Sequence, residues 1–358
     1  MKRIFMVGYS TDKGGVESYI VNLCGGLSKD KYEIIYDWPT IVVDGKEWIR
    51  PRNRHNYIKY RKFWKQFFRE NHFDVLYYNT CDIVSIDALK FAKRAGIPVR
   101  ILHSHNAGNQ LSINKKLSMF HQLTEKSNRK NLNKYATKLF ACSKSAGDWM
   151  FGNHPYKIIH NGIELSKYRY DECKRNKIRN QYNIKSEKLI GCIGRIDPQK
   201  NPLYAEKIAE SVLEKDSSAK FAFIGDGELM SKVKGIVEEK GLRERILFVG
   251  AVDNVHEWMS AIDCLVMPSF FEGLPFVLVE AQAAGLPCVV SSNVSVESNL
   301  TGLVQFLDLE TGAKVWADKI LSECEKERMD VSQKLVDAGY SIKNTVKDIS
   351  DIIESTGI

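Results

Sequence analysis

Residues 261–292 read AIDCLVMPSFFEGLPFVLVEAQAAGLPCVVSS. Two short apolar runs, Cys264 to Met267 and Cys288 to Ser291, bracket a helical pattern from Leu274 to Ala284. Gly285 and Pro287 end that helix. Strand, helix, strand at this spacing predicts one βαβ unit of a parallel sheet. The start of the helix is its unusual part, because Glu272, Gly273, Leu274 and Pro275 sit there. Proline suits a first turn, whose N–H would be unpaired anyway. Gly273 lets a ligand approach the backbone, and the free N–H groups of a helix start favour an anion. Glu280 follows Glu272 by eight residues, about two turns or 11 Å along a helix. Two carboxylates so placed can grip two hydroxyl-bearing parts of one extended ligand. An ordinary reading is two solvated glutamates. Against it, Glu280 is embedded in VLVEAQAA, where an unpartnered carboxylate is costly.

Working outward, 358 residues suggest two domains. A chain 44% hydrophobic and 27% charged is globular. No apolar run reaches the ~18 residues of a membrane span, and the amino terminus, MKRIFMVGYS, begins as a strand and lacks the pattern of a signal peptide. Eight cysteines, none in a C-x-x-C pair, point to reduced thiols and a cytoplasmic location. Charge is uneven. Residues 1–165 hold 27 basic and 14 acidic side chains (net +13), and the rest hold 25 and 30 (net −5). The first half therefore calls for an anionic partner.

The chain opens with a strand from Arg3 to Gly8, a loop containing Lys13, Gly14 and Gly15, and a helix from Glu17 to Leu27, an arrangement suited to approaching phosphate. No G-K-[ST] closes the loop, so it is not a Walker loop. A strand, Tyr32 to Trp38, follows. Residues 50–69, RPRNRHNYIKYRKFWKQFFR, hold eight basic residues, no acidic ones and six aromatics. From Tyr57 the aromatics recur at helical spacing. Such a helix can lie on an anionic membrane at the inner, cytoplasmic face, or pack its aromatics in a core and solvate the rest. No motif supports nucleic acid as the partner. Strands from Phe73 to Asn79 and from Ile97 to Leu102 flank a helix, Ile83 to Ala95, and the second strand delivers His103, Ser104, His105 and Asn106 into a loop. Polar clusters at carboxyl ends of parallel strands are where open α/β sheets bind ligands. A long basic helical region, Lys115 to Lys138, a short strand, Leu139 to Cys142, and a helix after Ser143 come next.

A linker from Glu164 to Asp171 leads to the second domain, where strand Leu189 to Ile193 runs into GRIDPQKNP (Gly194 to Pro202). Arg195 can grip a phosphate in a forked way, and Lys200 can act as a point charge. Strand Phe221 to Ile224 ends in Gly225-Asp226-Gly227, and strand Ile246 to Val249 ends at Gly250. Short helices follow, the last from Ile342 to Glu354.

The loop Pro268, Ser269, Glu272, Gly273, Pro275 with Glu280 resembles the signature of the retaining glycosyltransferases of family 4. G-R-x-x-x-x-K-N at Arg195 and Lys200, GG-x-E at Gly14, Gly15 and Glu17, and the segment Ile158 to Ile163 are similar to theirs too. The resemblance implies an α/β chain of GT-B fold, two Rossmann-like domains whose parallel sheets face a central cleft. Residues 1–165 would bind the acceptor and residues 166–340 the nucleotide sugar, while helix 341–358 packs back toward the first domain. It implies that Glu272 contacts the donor sugar and that Glu280 bonds the ribose. Arg195 and Lys200 hold the diphosphate with the amides of Gly273, Leu274 and Pro275, and backbone at Gly250 and Val252 reads the base. His103, or alternatively His105, contacts the donor sugar, and Glu17, His105 and Asn106 line the acceptor side. With no D-x-D sequence, no metal and no cofactor are expected besides the nucleotide-sugar co-substrate, for which UDP is the expectation. The acceptor would be a saccharide or lipid-linked saccharide of capsular or exopolysaccharide assembly. Two other functions fit the same residues: a sugar-nucleotide epimerase, and a non-catalytic nucleotide-binding scaffold.

Overall fold

The computed structural model describes residues 1–9, 14–38, 40–51, 57–106 and 119–356. Lys13, residues 52–56 of the basic segment and the start of the expected helix at 115–138 lie outside them. The chain forms two compact units: 1–162 with 341–358, and 163–340. The change from first to second falls at Gly162/Ile163 rather than three residues later. Residues 164–171, expected as a linker, contain a helical turn, Leu165–Tyr168, because Leu165 and Tyr168 pack on Ile163 and Val279. The N–H of Ile163 bonds the carbonyl of Tyr340 at 2.9 Å, joining the start and end of the second unit.

In the first unit the strands are β1 (Lys2–Val7), β2 (Tyr32–Tyr36), β3 (Ile41–Val43), β4 (Lys46–Trp48), β5 (Val75–Thr80), β6 (Val99–Ser104), β7 (Lys138–Ala141) and β8 (Lys157–Ile158). Six form a parallel sheet in the order β2-β1-β5-β6-β7-β8. β3 and β4 are a separate antiparallel hairpin, turned at Asp44 and Gly45, both with positive φ. That is the mirror-image turn an Asp-Gly pair favours.

The basic segment forms the helix Tyr57–Glu70. Its Trp64, Phe67 and Phe68 are buried and surround Phe5 of β1 at ring-centroid distances of 5.2–5.9 Å. Each such ring contributes about 1.5–3 kcal/mol by leaving water. The aromatic face is thus core. Lys59, Arg61, Lys62 and Lys65 are exposed, and an aromatic face inserted in lipid is ruled out. The final helix, Ile342–Glu354, packs in this same unit on the helix Gly15–Gly26, with Val346 against Gly26.

The second unit holds β9 (Leu189–Ile193), β10 (Lys220–Ile224), β11 (Ile246–Gly250), β12 (Cys264–Met267), β13 (Cys288–Ser291) and β14 (Val304–Leu307). They form one parallel sheet in the order β11-β10-β9-β12-β13-β14. Side chains alternate across it, as the period of two requires. Ile190, Cys192, Phe221, Phe223 and Val266 join the helix Pro202–Lys215 in one core. Leu189, Ile193, Ala222, Ile224 and Leu265 join the helices Val255–Ala261 and Phe276–Ala283 in another. The helix after β9 and the helix after β12 therefore cover opposite faces of the sheet. Between those adjacent strands the winding reverses, and in open α/β sheets a crevice opens at the carboxyl end of such a point.

Candidate functional site

Both expected donor loops leave the second unit's sheet at that reversal. After β9 the chain turns through Gly194 (φ +141°) and ends in the short turn Pro198–Lys200, capped by Asp197, whose Oδ1 accepts from the Lys200 N–H at 3.1 Å. After β12 it runs through Pro268 to Pro275. The loops are stitched together: Phe270 N–H donates to the Gln199 carbonyl at 2.9 Å, and Gln199 Nε2 to the Phe271 carbonyl at 3.2 Å. This brings Lys200 Nζ to 2.5 Å from Glu272 Oε1. The two side chains form an ion pair. Both side chains are largely shielded from water. Arg195 is exposed and holds Asp197 at 3.2 Å, which leaves most of its fork of donors uncommitted.

The loop of Glu272 is braced from behind. Its N–H reaches the Asn293 carbonyl and its carbonyl accepts from Ser295 N–H at 3.1 Å. The stretch behind it is pinned by buried Gln282. That amide donates to the carbonyls of Leu278 and Ser298 and accepts from Leu300 N–H, Thr301 N–H and Thr301 Oγ1.

The helix begins at Phe276, two residues later than expected. Pro275 adopts an extended conformation as its cap (φ −71°, ψ 130°), and Leu274 is buried among Ile163 and Val279. Gly273 precedes them in the loop. Phe276–Ala283 is apolar on nearly all sides, which leaves Glu280 as the carboxylate that needs a partner. Tyr168 Oη supplies it at 2.7 Å. Burial raises the Glu280 pKa and the tyrosine bond opposes the rise. Gly250 ends β11 with φ +81°, its carbonyl taken by Gly225 N–H at 2.9 Å. Val252 is half-buried and packs its side chain against the core.

In the first unit Gly14 caps the helix Gly15–Gly26. A Cβ there would lie 2.6 Å from Glu17 Oε2, so glycine leaves room for that carboxylate to fold over the helix start. β6 runs two residues further than expected, so His103 and Ser104 are strand and only His105 and Asn106 emerge. His103 is wholly buried. Its Nδ1 meets Tyr77 Oη at 3.0 Å, and Tyr77 Oη meets Tyr19 Oη at 2.8 Å. This corrects the expectation that His103 stands in the loop. His105 is partly exposed, with its Nε2 2.9 Å from Asn79 Oδ1. Asn79 Nδ2 donates to the Val7 carbonyl, so Oδ1 accepts and His105 carries its hydrogen on Nε2. Burial, and then the neighbouring His105, holds the His103 imidazole well below its usual pKa. Burial pushes His105 down to about 3. Both rings are neutral at pH 7.

Two family models match the chain: Glycosyltransferase Family 4 over residues 13–167 and Glycosyl transferases group 1 over residues 174–339. The chain is a family 4 glycosyltransferase. It is 29% identical to EpsF of Bacillus subtilis over 96% of this chain and 94% of that protein. It is 31% identical to the Escherichia coli UDP-Gal:alpha-D-GlcNAc-diphosphoundecaprenol alpha-1,3-galactosyltransferase, over 54% and 53%. Its fold matches Anabaena HepE, solved in complex with UDP, at a TM-score of 0.75 with 17% identity, covering 99% of this chain and all of that one.

The transferase's motifs reveal Arg195, Lys200, Glu272 and Glu280, but not the residues that set them. Tyr168, Asp197 and Gln282 carry no motif. Only the costly isolation of Glu280 in an apolar helix hints at a partner such as Tyr168.

Proposed function

We propose that this transferase moves a sugar from a UDP-sugar to a saccharide or lipid-linked saccharide of surface polysaccharide assembly, with retention of anomeric configuration. The observation that carries the reading is the Lys200–Glu272 pair at the second sheet's reversal point. The pair offers a cation suited to the charge that a departing diphosphate gathers, and a carboxylate suited to accepting from sugar hydroxyls. Glycosyl transfer passes through an oxocarbenium-like sugar, and fixed positive groups aimed at the leaving group lower that barrier. Arg195, Lys200 and the helix start at Phe276 take that part, without a metal. Glu280, oriented by Tyr168, accepts from the ribose. No enzyme nucleophile takes part, and the leaving phosphate assists the acceptor hydroxyl on the same face. His105, as the more exposed imidazole, orients the sugar. UDP is favoured by the printed name of the E. coli relative and by the UDP-bound HepE structure.

A thermal-shift panel tests the donor. UDP-sugars are expected to raise Tm, as any ligand of the folded state does, and GDP- and ADP-sugars to leave it unmoved. A rise with GDP-sugars alone overturns the UDP assignment, and no rise with any overturns the donor site. Conversion of donor to an epimer without acceptor would make the chain an epimerase.

No helix among the described residues is long and apolar enough to cross a membrane. The exposed Lys59, Arg61, Lys62 and Lys65 instead fit electrostatic docking on anionic lipid, with the aromatics held in the core. Attraction of about 1 kcal/mol per basic residue predicts that the protein co-sediments with phosphatidylglycerol vesicles at low salt. Reversing these four charges should release it, and unchanged sedimentation rules the surface out.

A further inference from the structure

His105 has one ring nitrogen committed and one open, and a residue outside every motif decides which is which. Asn79 lies one residue before the end of β5, in register with His103 of β6, and is buried. Its Nδ2 donates to the Val7 carbonyl at 3.2 Å and lies 3.1 Å from Met6 Sδ. Gly8 follows with φ +102°, and a Cβ on it would fall 2.2 Å from the Asn79 carbonyl, so only glycine lets β1 close on this residue. The amide cannot turn over, because its oxygen would then face the Val7 carbonyl. Oδ1 is thereby aimed at His105 Nε2, 2.9 Å away.

A neutral imidazole carries one hydrogen, and two amide oxygens compete for it. Asn79 Oδ1 takes Nε2. The other comes from Asn161, a buried residue beyond the end of β8, whose side chain favours the charged form of the ring. With Nε2 taken, that oxygen faces Nδ1. Among the described residues neither His105 Nδ1 nor Asn161 Oδ1 has a hydrogen-bond partner. Both are acceptors, and an orphaned buried acceptor is costly. What relieves this end of the ring has to bring hydrogen, as a hydroxyl does and an ionised phosphate does not. On the reading above, in which His105 orients the sugar, we infer that Asn79 is a positioning residue for the transfer. It locks His105 as a hydrogen-bond acceptor, and the ring recognises a sugar hydroxyl by receiving its hydrogen at Nδ1. Without Asn79 the remaining oxygen is that of Asn161, so the hydrogen moves to Nδ1 and the ring closes on Asn161 instead of the sugar.

The test joins ring NMR to a double-variant cycle on the full chain. With isotope-labelled histidine, and His105→Gln to assign the signals, the wild-type ring is expected to carry hydrogen on Nε2 and a bare Nδ1 at pH 7. In Asn79→Ala the hydrogen should move to Nδ1, while Asn79→Asp, which keeps an oxygen for the ring, should leave it on Nε2. Asn79→Ala and His105→Ala should each lower kcat/KM about tenfold, the effect of one hydrogen bond. The double variant should be no worse than either, because Asn79 acts through His105. A merely structural Asn79 would cost the same in both backgrounds and leave the tautomer alone. Hydrogen on Nδ1 of the wild-type ring overturns the inference, and that result needs no variant to fold. So does hydrogen that stays on Nε2 in Asn79→Ala, or a double variant in which the two losses multiply. Wild-type turnover in His105→Ala instead overturns the reading that His105 orients the sugar, and the UDP-sugar Tm rise reports on the donor site separately.

Discussion

Lys200→Ala is expected to lower turnover by about 10²–10³-fold, and Glu272→Ala by a similar factor. These are the losses seen when one fixed group facing developing charge is removed. The two roles differ. In the proposed mechanism Lys200 meets the departing diphosphate, so its loss should fall mainly on kcat. Glu272 pairs with the ammonium and in the same proposal holds the sugar, so its loss should raise KM as well. Because the two touch at 2.5 Å, their effects should not add. The double variant is expected to be little worse than the worse single one, since each single change already leaves the other group misplaced. Lys200→Arg should recover part of the loss, because charge is kept while the point-like geometry is not. Because both side chains are largely shielded from water, removing one leaves the other's charge uncompensated and costs stability too, about 3–5 kcal/mol. Turnover is therefore compared well below each variant's own Tm, where near-UV circular dichroism shows it folded. Turnover near wild type in both single variants would remove the site from the second sheet's reversal point.

The parts of this site that the sequence announces are those made by neighbours in the chain. β9, β12 and β13 agree end to end with the apolar runs that predict them, since a buried parallel strand is a short continuous apolar run. The helix after β12 starts late because proline's own fixed φ lets Pro275 serve as an extended cap. β14 carries no strong sequence pattern, whereas the β3–β4 hairpin turns on a local Asp44-Gly45 signal. The aromatic helix was open to two readings. A period of 3.6 marks one apolar face but does not say what covers it, and Phe5, far away in the chain, decides it. Tyr168 lies 112 residues from Glu280, a separation at which single-sequence patterns say nothing. His103 was misplaced for a smaller reason, as β6 continues through two polar residues that a hydropathy pattern assigns to the loop.

Unfolding of the first unit should become markedly easier as pH falls from 7 to 5, and the two histidines decide the sign. His103 and His105 have folded pKa values below the 6.5 of the free side chain. The unfolded chain therefore binds more protons in this window, and stability is lost as pH falls. His105, held near 3, stays neutral in the fold but titrates at 6.5 when unfolded, and loses about 2 kcal/mol between pH 7 and 5; His103, pushed the same way by burial, adds to that loss. Asp37 works the other way. Burial, only partly offset by Arg50, lifts its carboxyl from 3.8 to about 6. The folded state takes up that proton first, a gain of about 1.4 kcal/mol over the same interval. The histidines win, because His105 alone outweighs Asp37 and His103 adds to it, in a domain whose whole stability is only about 5–15 kcal/mol. Urea titrations at both pH values should show it as a lower midpoint at unchanged slope. His105→Gln keeps a donor for Asn79 and cannot charge, so it should remove the His105 share, about 2 kcal/mol. A midpoint that does not fall between pH 7 and 5, or a His105→Gln protein with the full wild-type pH dependence, would mean that these rings are open to water in the folded chain.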